Sequence, residues 1–157
     1  MLKKILSPLT RTLMRLIKLP PQLLYAVGLG PVYGRIVLLL TTTGRVSGLP
    51  RVTPLQYEEI EGAIYVASAR GTQADWFKNI RANPQVRVRV KSRDFEGLGE
   101  AVIDPVRIAD FLALRLERHP LFVGGLMRME GLPKNPTRAQ LEQFAAGKAM
   151  VVIRAVD

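Results

Sequence analysis

The sequence of 157 residues predicts a mainly β domain with flanking helices, in which six antiparallel strands close into a small barrel. Three observations support this fold class. Six short segments are apolar or alternate between apolar and polar residues, as strands do. They follow one another as hairpins rather than as βαβ units, and helical segments are few. The chain is long enough for one hydrophobic core and too short for two ordinary domains.

The N-terminal segment, residues 1–34, is predicted to be an amphipathic helix followed by a Pro/Gly-rich connection. Within residues 1–18 the leucines and isoleucines share one helix face, and the opposite face carries Lys4, Arg11, Arg15 and Lys18. The apolar face either docks on the barrel or lies on an anionic membrane surface with the basic face at the headgroups. Prolines and glycines interrupt residues 19–34, so no membrane-spanning helix is predicted. The cations within the helix argue against a signal peptide.

Residues 35–157 are predicted to form the barrel domain. The six strands are expected at 35–43, 51–57, 63–68, 86–90, 95–103 and 149–156. The strand at 86–90 alternates valines with basic residues, which predicts one buried and one solvated face. Helices are expected after Thr72, whose spacing to Asp75 suits a capping box, then at 106–118, and from Thr137 to Ala146.

Composition excludes several kinds of chemistry. The chain has no cysteine and one histidine, which rules out disulfides, thiolate zinc sites, cysteine nucleophiles and multi-histidine metal centres, so no metal site is predicted. Neither a phosphate-binding P-loop nor a nucleophile elbow is present, and the carboxylates show no paired acid–base spacing. The sequence therefore lacks the usual side chains for catalysis, and an enzyme of this kind needs a cofactor for the difficult step.

The net charge of +10 is concentrated at the start of the chain. The first 57 residues hold eight basic and no acidic side chains, which gives +8, and the other 100 hold 15 basic and 13 acidic ones, which gives +2. Such a field attracts phosphorylated ligands, nucleic acid or an acidic membrane. Nucleic-acid binding is not predicted, because neither an aromatic RNA-binding pattern nor a recognition-helix motif is present.

The stretch TTTGRVSG, which follows the first predicted strand, combines a glycine turn with a hydroxyl and guanidinium groups. Backbone N–H groups, Ser47, Arg45 and Arg51 together make a reasonable cradle for an anion. The other interpretation is an ordinary solvated β-turn, which needs glycine in any case. The residues of the turn leave both interpretations open.

Three segments taken together resemble a known family. LLLTTTGRVSGLPRVTPL, YVASARG and ADWFKNIRANPQVRV, in this order and spacing, are similar to the deazaflavin-dependent nitroreductase family, relatives of the flavin-binding split β-barrels. The resemblance is strong over residues 35–90 and weak over the N-terminal helix. It implies a six-stranded, FMN-binding-like split β-barrel and a site for the reduced deazaflavin coenzyme F420, which delivers hydride from ring carbon 5.

The resemblance also assigns cofactor-binding positions. The positions that bind the coenzyme's phosphate and acidic tail correspond to Arg45, Val46, Ser47, Gly48 and Arg51, and the strand that lines the site corresponds to Thr53 and Pro54. The segment beside the ring corresponds to Ser68, Ala69, Arg70 and Gly71. An aromatic and an amide position on the next helix correspond to Trp76 and Asn79. Many members have lysine where this chain has Val46, so Arg70 or the basic strand is expected to supply that cation. Residues 121–131 offer Phe122, Met127 and Met129 in place of substrate-lining tyrosines, which argues against nitroimidazole reduction.

The predicted function is hydride transfer from reduced F420 to an apolar quinone-like, enone or nitro acceptor, with a proton from Ser68, Tyr57 or water. Alternatives are an FMN- or haem-binding barrel, with His119 as the axial ligand available, and a non-catalytic lipid- or cofactor-binding module at the membrane. A cytoplasmic protein is expected, peripheral on the inner face of the membrane if residues 1–18 bind lipid. A monomer and a homodimer are both left open.

Overall fold

The computed structural model describes residues 37–68 and 70–157, and its strands form one antiparallel sheet in the order β2-β1-β5-β6-β7-β4-β3. The strands are β1 Val37–Thr43, β2 Pro50–Gln56, β3 Glu58–Ile60, β4 Ala63–Ser68, β5 Gln85–Val90, β6 Arg93–Val102 and β7 Ala149–Ala155. The helices of the described residues are α1 Asp75–Ala82, α2 Pro105–Arg118, α3 Phe122–Met129 and α4 Arg138–Ala145, with a 3-10 turn at Gly71–Gln73. The predicted helix within residues 1–34 and its membrane role lie outside the described residues and stay predictions.

The sheet has seven strands, and the prediction of six was wrong by one. A single residue, Tyr57, separates β2 from β3, yet these strands are the two edges of the sheet. Because one residue joins the two edges, the sheet must curl until its edges meet. The sequence contains no glycine or asparagine between β2 and β3, so the local pattern gave no sign of the break.

Two hydrophobic cores lie on the two faces of this sheet. Leu38, Val66, Val88 and Val151 pack inside the barrel, where α1 adds Trp76, Phe77 and Ile80. On the other face Met150 and Val152 contact residues of α2, α3 and α4. The strand β7 is therefore buried on both sides, which explains its continuous apolar run.

Two of the described helices, α2 and α4, begin at side-chain caps, and α1 and α3 do not. The α2 helix begins with Pro105 after Asp104, whose side chain accepts a hydrogen bond from the backbone of Val106, and α4 begins after a complete capping box between Thr137 and Gln140. The capping box predicted at Thr72 is wrong, because α1 starts three residues later, without a side-chain cap. None of the described helices is long and apolar enough to cross a membrane.

The hairpin of β5 and β6 has the predicted two faces. Val86, Val88 and Val90 are buried, and the arginines between them are exposed. Arg87 forms an ion pair with Asp94 diagonally across the hairpin, since the residue directly opposite Arg87 is Glu96; Nε lies 2.7 Å from Oδ1. This pairing lowers the pKa of the Asp94 carboxyl, mainly through the hydrogen bond from Arg87.

Candidate functional site

A pocket of about 690 Å³ opens between one edge of the barrel and the helices packed beside it. Its barrel side is lined by Thr53, Pro54, Leu55, Gln56, Ala67 and Ser68. The segment after β4 adds Arg70, Asp75 and Trp76, and the helices add Leu112, Arg115, Val123, Leu126, Met127 and Phe144. Five residues that the resemblance assigned to a cofactor site, from three separate segments, thus line one pocket.

The helical wall of the pocket is apolar, as expected, but its residues differ from the predicted ones. Met127 lines the pocket as predicted, whereas Phe122 packs among the helices and Met129 is 58% exposed. Val123 and Leu126 take their places. The reason is helical geometry, because positions 123, 126 and 127 are three and four residues apart and share one face of α3.

Ser68 contributes an unsatisfied polar atom to this pocket. It is the last residue of β4 and is 3% exposed, and its Oγ has no hydrogen-bond partner among the described residues. A buried hydroxyl without a partner costs roughly 1–3 kcal/mol. Such an atom on the wall of a cleft is available to a bound molecule. The other predicted proton donor, Tyr57, packs in the barrel core and is not among the residues that line the pocket.

The β1–β2 turn satisfies most of its own backbone groups. The N–H of Gly44 donates to the Leu49 carbonyl, and that of Gly48 donates to the Gly44 carbonyl, both at 2.8 Å. The N–H of Leu49 donates to Ser47 Oγ at 3.2 Å. These three N–H groups are not available to an anion in this conformation, so part of the predicted backbone cradle is already occupied. Val46 stands at the tip of the turn, 93% exposed.

Arg45 and Asn79 hold this turn against α1. The Asn79 side chain is buried; its Oδ1 accepts from the Arg45 backbone N–H at 3.2 Å and from Arg45 Nη1 at 3.0 Å, and its Nδ2 donates to Thr42 Oγ1 at 3.1 Å. Arg45 Nη2 also pairs with Asp75 Oδ1 at 3.1 Å. The predicted amide and one predicted guanidinium are therefore bonded to each other, and neither lines the pocket.

Two other predicted cations have no carboxylate partner within the described residues. Arg70 lines the pocket, and Arg51 contacts Ser47 Oγ at 3.4 Å through its guanidinium. Gly71, the next predicted site residue, has a positive φ of 58°. A Cβ there would collide with the Gly147 carbonyl oxygen. Gly71 is thus required by the close approach of two backbone segments. Ala69 lies outside the described residues.

A buried ion cluster adjoins the pocket at the end of α2. Glu58 is 6% exposed and pairs with His119 Nε2 at 2.7 Å, Arg118 Nη1 at 3.2 Å and Arg115 Nε at 3.5 Å. Burial lowers the pKa of the Arg115 guanidinium, and the nearby Glu58 offsets part of this effect. His119, the predicted axial ligand of the haem alternative, is engaged here and is not among the pocket residues.

Arg115 and Gln56 are pocket residues that were not predicted from the sequence. Arg115 lines the pocket, and its Nη2 donates to Gln56 Oε1 at 3.0 Å. The sequence did contain a signal, because Arg115 follows Ile108, Phe111 and Leu112 at helical spacing and so falls on the apolar face of α2. A charged residue on such a face requires an explanation.

Comparison with known proteins gives both a family and a fold. The model of a family described as F420H2-dependent quinone reductase matches residues 26–120, more than half of the chain. A conserved hypothetical protein from Mycobacterium tuberculosis is 20% identical with a TM-score of 0.56, over 84% of this chain and 80% of that one. An F420-H2 dependent reductase is 22% identical with a TM-score of 0.50, over 75% and 94%.

The haem storage protein HutZ from Vibrio cholerae is 15% identical, with a TM-score of 0.54 over 80% of this chain and 87% of that one. At such identities the similarity to solved structures shows the fold alone, which is the split β-barrel. The family match covers the β1–β2 turn, the segment after β4 and all of α2.

Proposed function

The chain belongs to the F420H2-dependent quinone reductase family and is an F420H2-dependent reductase, and from that premise we propose that the pocket binds coenzyme F420 beside an apolar quinone-like acceptor. The observation that carries this proposal is the pocket itself. It brings Thr53, Pro54, Ser68, Arg70 and Trp76 together on one side and places an apolar helical wall on the other. Cofactor sites combine apolar walls with a few polar groups in this way.

The residues present fit the deazaflavin coenzyme in three respects. The volume of about 690 Å³ lies within the range of roughly 300–1,000 Å³ that is usual for ligand sites. Ser68 Oγ is a buried polar atom in need of a partner. Arg51 and Arg70 are cations without a carboxylate partner among the described residues, which suits a phosphate and an acidic tail.

The chain's residues divide between two tasks. We assign Thr53, Pro54 and Trp76 to holding the deazaflavin ring, and Arg51 and Arg70 to the anionic tail. When bound, the reduced coenzyme supplies the hydride. The protein positions the two partners and excludes water from the reacting atoms.

The acceptor side of the pocket favours a flat apolar molecule. Leu112, Val123, Leu126 and Met127 offer carbon surface from two helices, and a ring that packs against them is removed from water. We assign Ser68 as the donor of the proton that completes the reduction, because this residue lines the same pocket and its Oγ has no hydrogen-bond partner among the described residues. Quinones and enones both conjugate a carbonyl with a C=C bond, so both are proposed as acceptors. Quinones rank first because the family model is that of a quinone reductase.

Coenzyme binding tests the proposal directly. Trp76 is the only tryptophan and lines the pocket, so quenching of its fluorescence reports occupancy. We expect F420 to bind more tightly than FMN, and Arg51→Ala and Arg70→Ala each to weaken F420 binding by about 10- to 150-fold, which corresponds to 1.5–3 kcal/mol for a charged hydrogen bond. Arg81→Ala is the matched control, because Arg81 is exposed and outside the pocket. Tighter binding of FMN, or no binding of F420, would overturn the proposal.

A further inference from the structure

The end of the pocket next to α2 contains a cation on an otherwise apolar face of that helix. Arg115 reaches the pocket between Leu112 and the barrel edge, and its side chain is only 14% exposed. Its guanidinium donates to Gln56 Oε1, and the Gln56 amide N–H groups have no acceptor among the described residues. Two kinds of N–H donor therefore stand together at this end, opposite the segment that contains Arg70.

The charge at this end is not balanced by its only buried carboxylate. Glu58 is shared by Arg115, Arg118 and His119, and Arg115 is the most distant of the three, at 3.5 Å. The neighbouring acid Glu59 is paired with Arg93 at 2.9 Å. Two arginines, which stay protonated at any physiological pH, thus share one carboxylate, and the cluster keeps a net positive charge without counting the histidine.

A largely buried guanidinium with excess positive charge is costly unless something anionic approaches it. Phe111 and Leu112 lie on the same face of α2, so an apolar side chain at position 115 would fit this face without that cost. The geometry therefore suits a ligand that is apolar over most of its surface and carries an oxygen that is negative or becomes so.

We propose that Arg115, supported by Gln56, binds the carbonyl oxygen of the acceptor and stabilises the negative charge that develops there. This inference rests on the proposed function. Hydride adds to a carbon of the acceptor, the π electrons of the conjugated carbonyl move onto its oxygen, and a proton then converts that oxyanion to a hydroxyl. In a quinone, the ring carbon that received the hydride then loses one hydrogen as a proton while the second carbonyl oxygen gains a proton, and this tautomerisation gives the hydroquinone. The two electrons are those of the hydride, which the reduced coenzyme would supply.

The stabilisation acts on charge that forms during the reaction. Guanidinium N–H groups donate stronger hydrogen bonds to an oxyanion than to a neutral carbonyl, and their effect is larger in a pocket that excludes water. Arg115 is thereby predicted to select acceptors by their carbonyl group, while the apolar wall accepts various hydrocarbon parts. A simpler role for Arg115 is neutralisation of Glu58, which Arg118 also performs.

Binding of 4-nitrophenol without coenzyme separates these roles. Its coloured phenolate resembles a hydroquinone monoanion, and 4-nitroanisole is the neutral analogue. In the full chain we expect the bound phenol to titrate about one pH unit lower than free phenol, and the phenolate to bind about tenfold more tightly than the anisole, since one pKa unit is a factor of ten. Trp76 quenching gives the affinities, and absorbance gives the pKa of the bound phenol.

Arg115→Gln should abolish the lowered pKa of the bound phenol and the tighter binding of the phenolate. Arg118→Gln removes a cation that pairs with the same carboxylate but lies outside the pocket, so it should preserve both effects. Arg115→Lys should keep part of the pKa shift, and this variant decides the question if Arg115→Gln does not fold. The inference would be overturned if the Arg115 and Arg118 variants gave the same pKa for the bound phenol and the same ratio of phenolate to anisole affinity. It would also be overturned if Arg115→Lys and Arg115→Gln left both quantities unchanged.

The coenzyme affinity of the same proteins keeps this test separate from that of the proposed function. If F420 does not bind the unmodified chain, the proposed function fails, whatever the phenol does. If F420 binds equally well to the unmodified chain and to the Arg115 variants while their phenolate preference is unchanged, only the role of Arg115 fails. If both the proposed function and the role of Arg115 hold, kcat for a quinone should fall in Arg115→Lys while the Kd for F420 stays the same.

Discussion

The bonds of Asn79 predict that this residue stabilises the fold rather than contacting the coenzyme. Its side chain accepts two hydrogen bonds from Arg45 and donates one to Thr42, which is 1% exposed. Asn79→Ala removes all three and leaves the Thr42 hydroxyl and the Arg45 backbone N–H without these partners. The change therefore leaves the β1–β2 turn joined to α1 through the Arg45–Asp75 ion pair, without the buried bonds.

The expected loss of stability follows from these contacts. Each hydrogen bond contributes about 1 kcal/mol net, and leaving buried groups unpaired costs about 1–3 kcal/mol. The higher helix propensity of alanine returns roughly half a kcal/mol. We therefore expect the free energy of unfolding to fall by about 3.5–5.5 kcal/mol, which for a domain of this size lowers Tm by about 7–22 °C.

Thermal unfolding followed by circular dichroism measures this effect, with Asn135→Ala as the control. Asn135 is an exposed asparagine in a loop, so its removal should change Tm little. The reasoning is refuted if Asn79→Ala is no less stable than Asn135→Ala. Loss of F420 binding at unchanged Tm would instead assign Asn79 to the coenzyme, as the family resemblance implied.

Two further predictions concern backbone geometry and pH. Gly71→Ala should lower Tm by more than 5 °C, because its positive φ and the neighbouring carbonyl leave no room for a methyl group, whereas Gly125→Ala, in a helix with open space around it, should raise Tm slightly. Hydrogen bonds from Arg107 and Arg154 lower the pKa of Glu100 in the folded protein. This carboxylate therefore stabilises the fold at pH values above its unfolded-state pKa, and the stabilisation is lost as the pH falls through the folded-state pKa. Glu100→Gln should accordingly cost about 0.5–1 kcal/mol at pH 7 and nothing near pH 2, as measured by urea unfolding; an equal cost at both pH values would contradict the ion-pair interpretation.

The sequence by itself determined the family and most of the elements, although β3 and α3 were not predicted. Valines that alternate with arginines in β5, and the run of apolar residues in β7, have the period or the length of strands and are buried as expected. Caps such as Asp104 and Thr137 act through hydrogen bonds to residues two or three positions away, so the start of the helix can be predicted from a short stretch of sequence. The family motifs were readable for the same reason, because each is a short continuous segment.

The tertiary structure decided which side chains meet. Arg45 and Asn79 belong to two motifs of the family, and only the packing of α1 against the β1–β2 turn shows that they bond to each other. Arg115 lies far along the chain from its partners Gln56 and Glu58, and no sequence pattern links them. Local periodicity determines which face of a helix or strand is buried. The partner across that face depends on how the sheet curls, and that curl results from contacts along the whole chain.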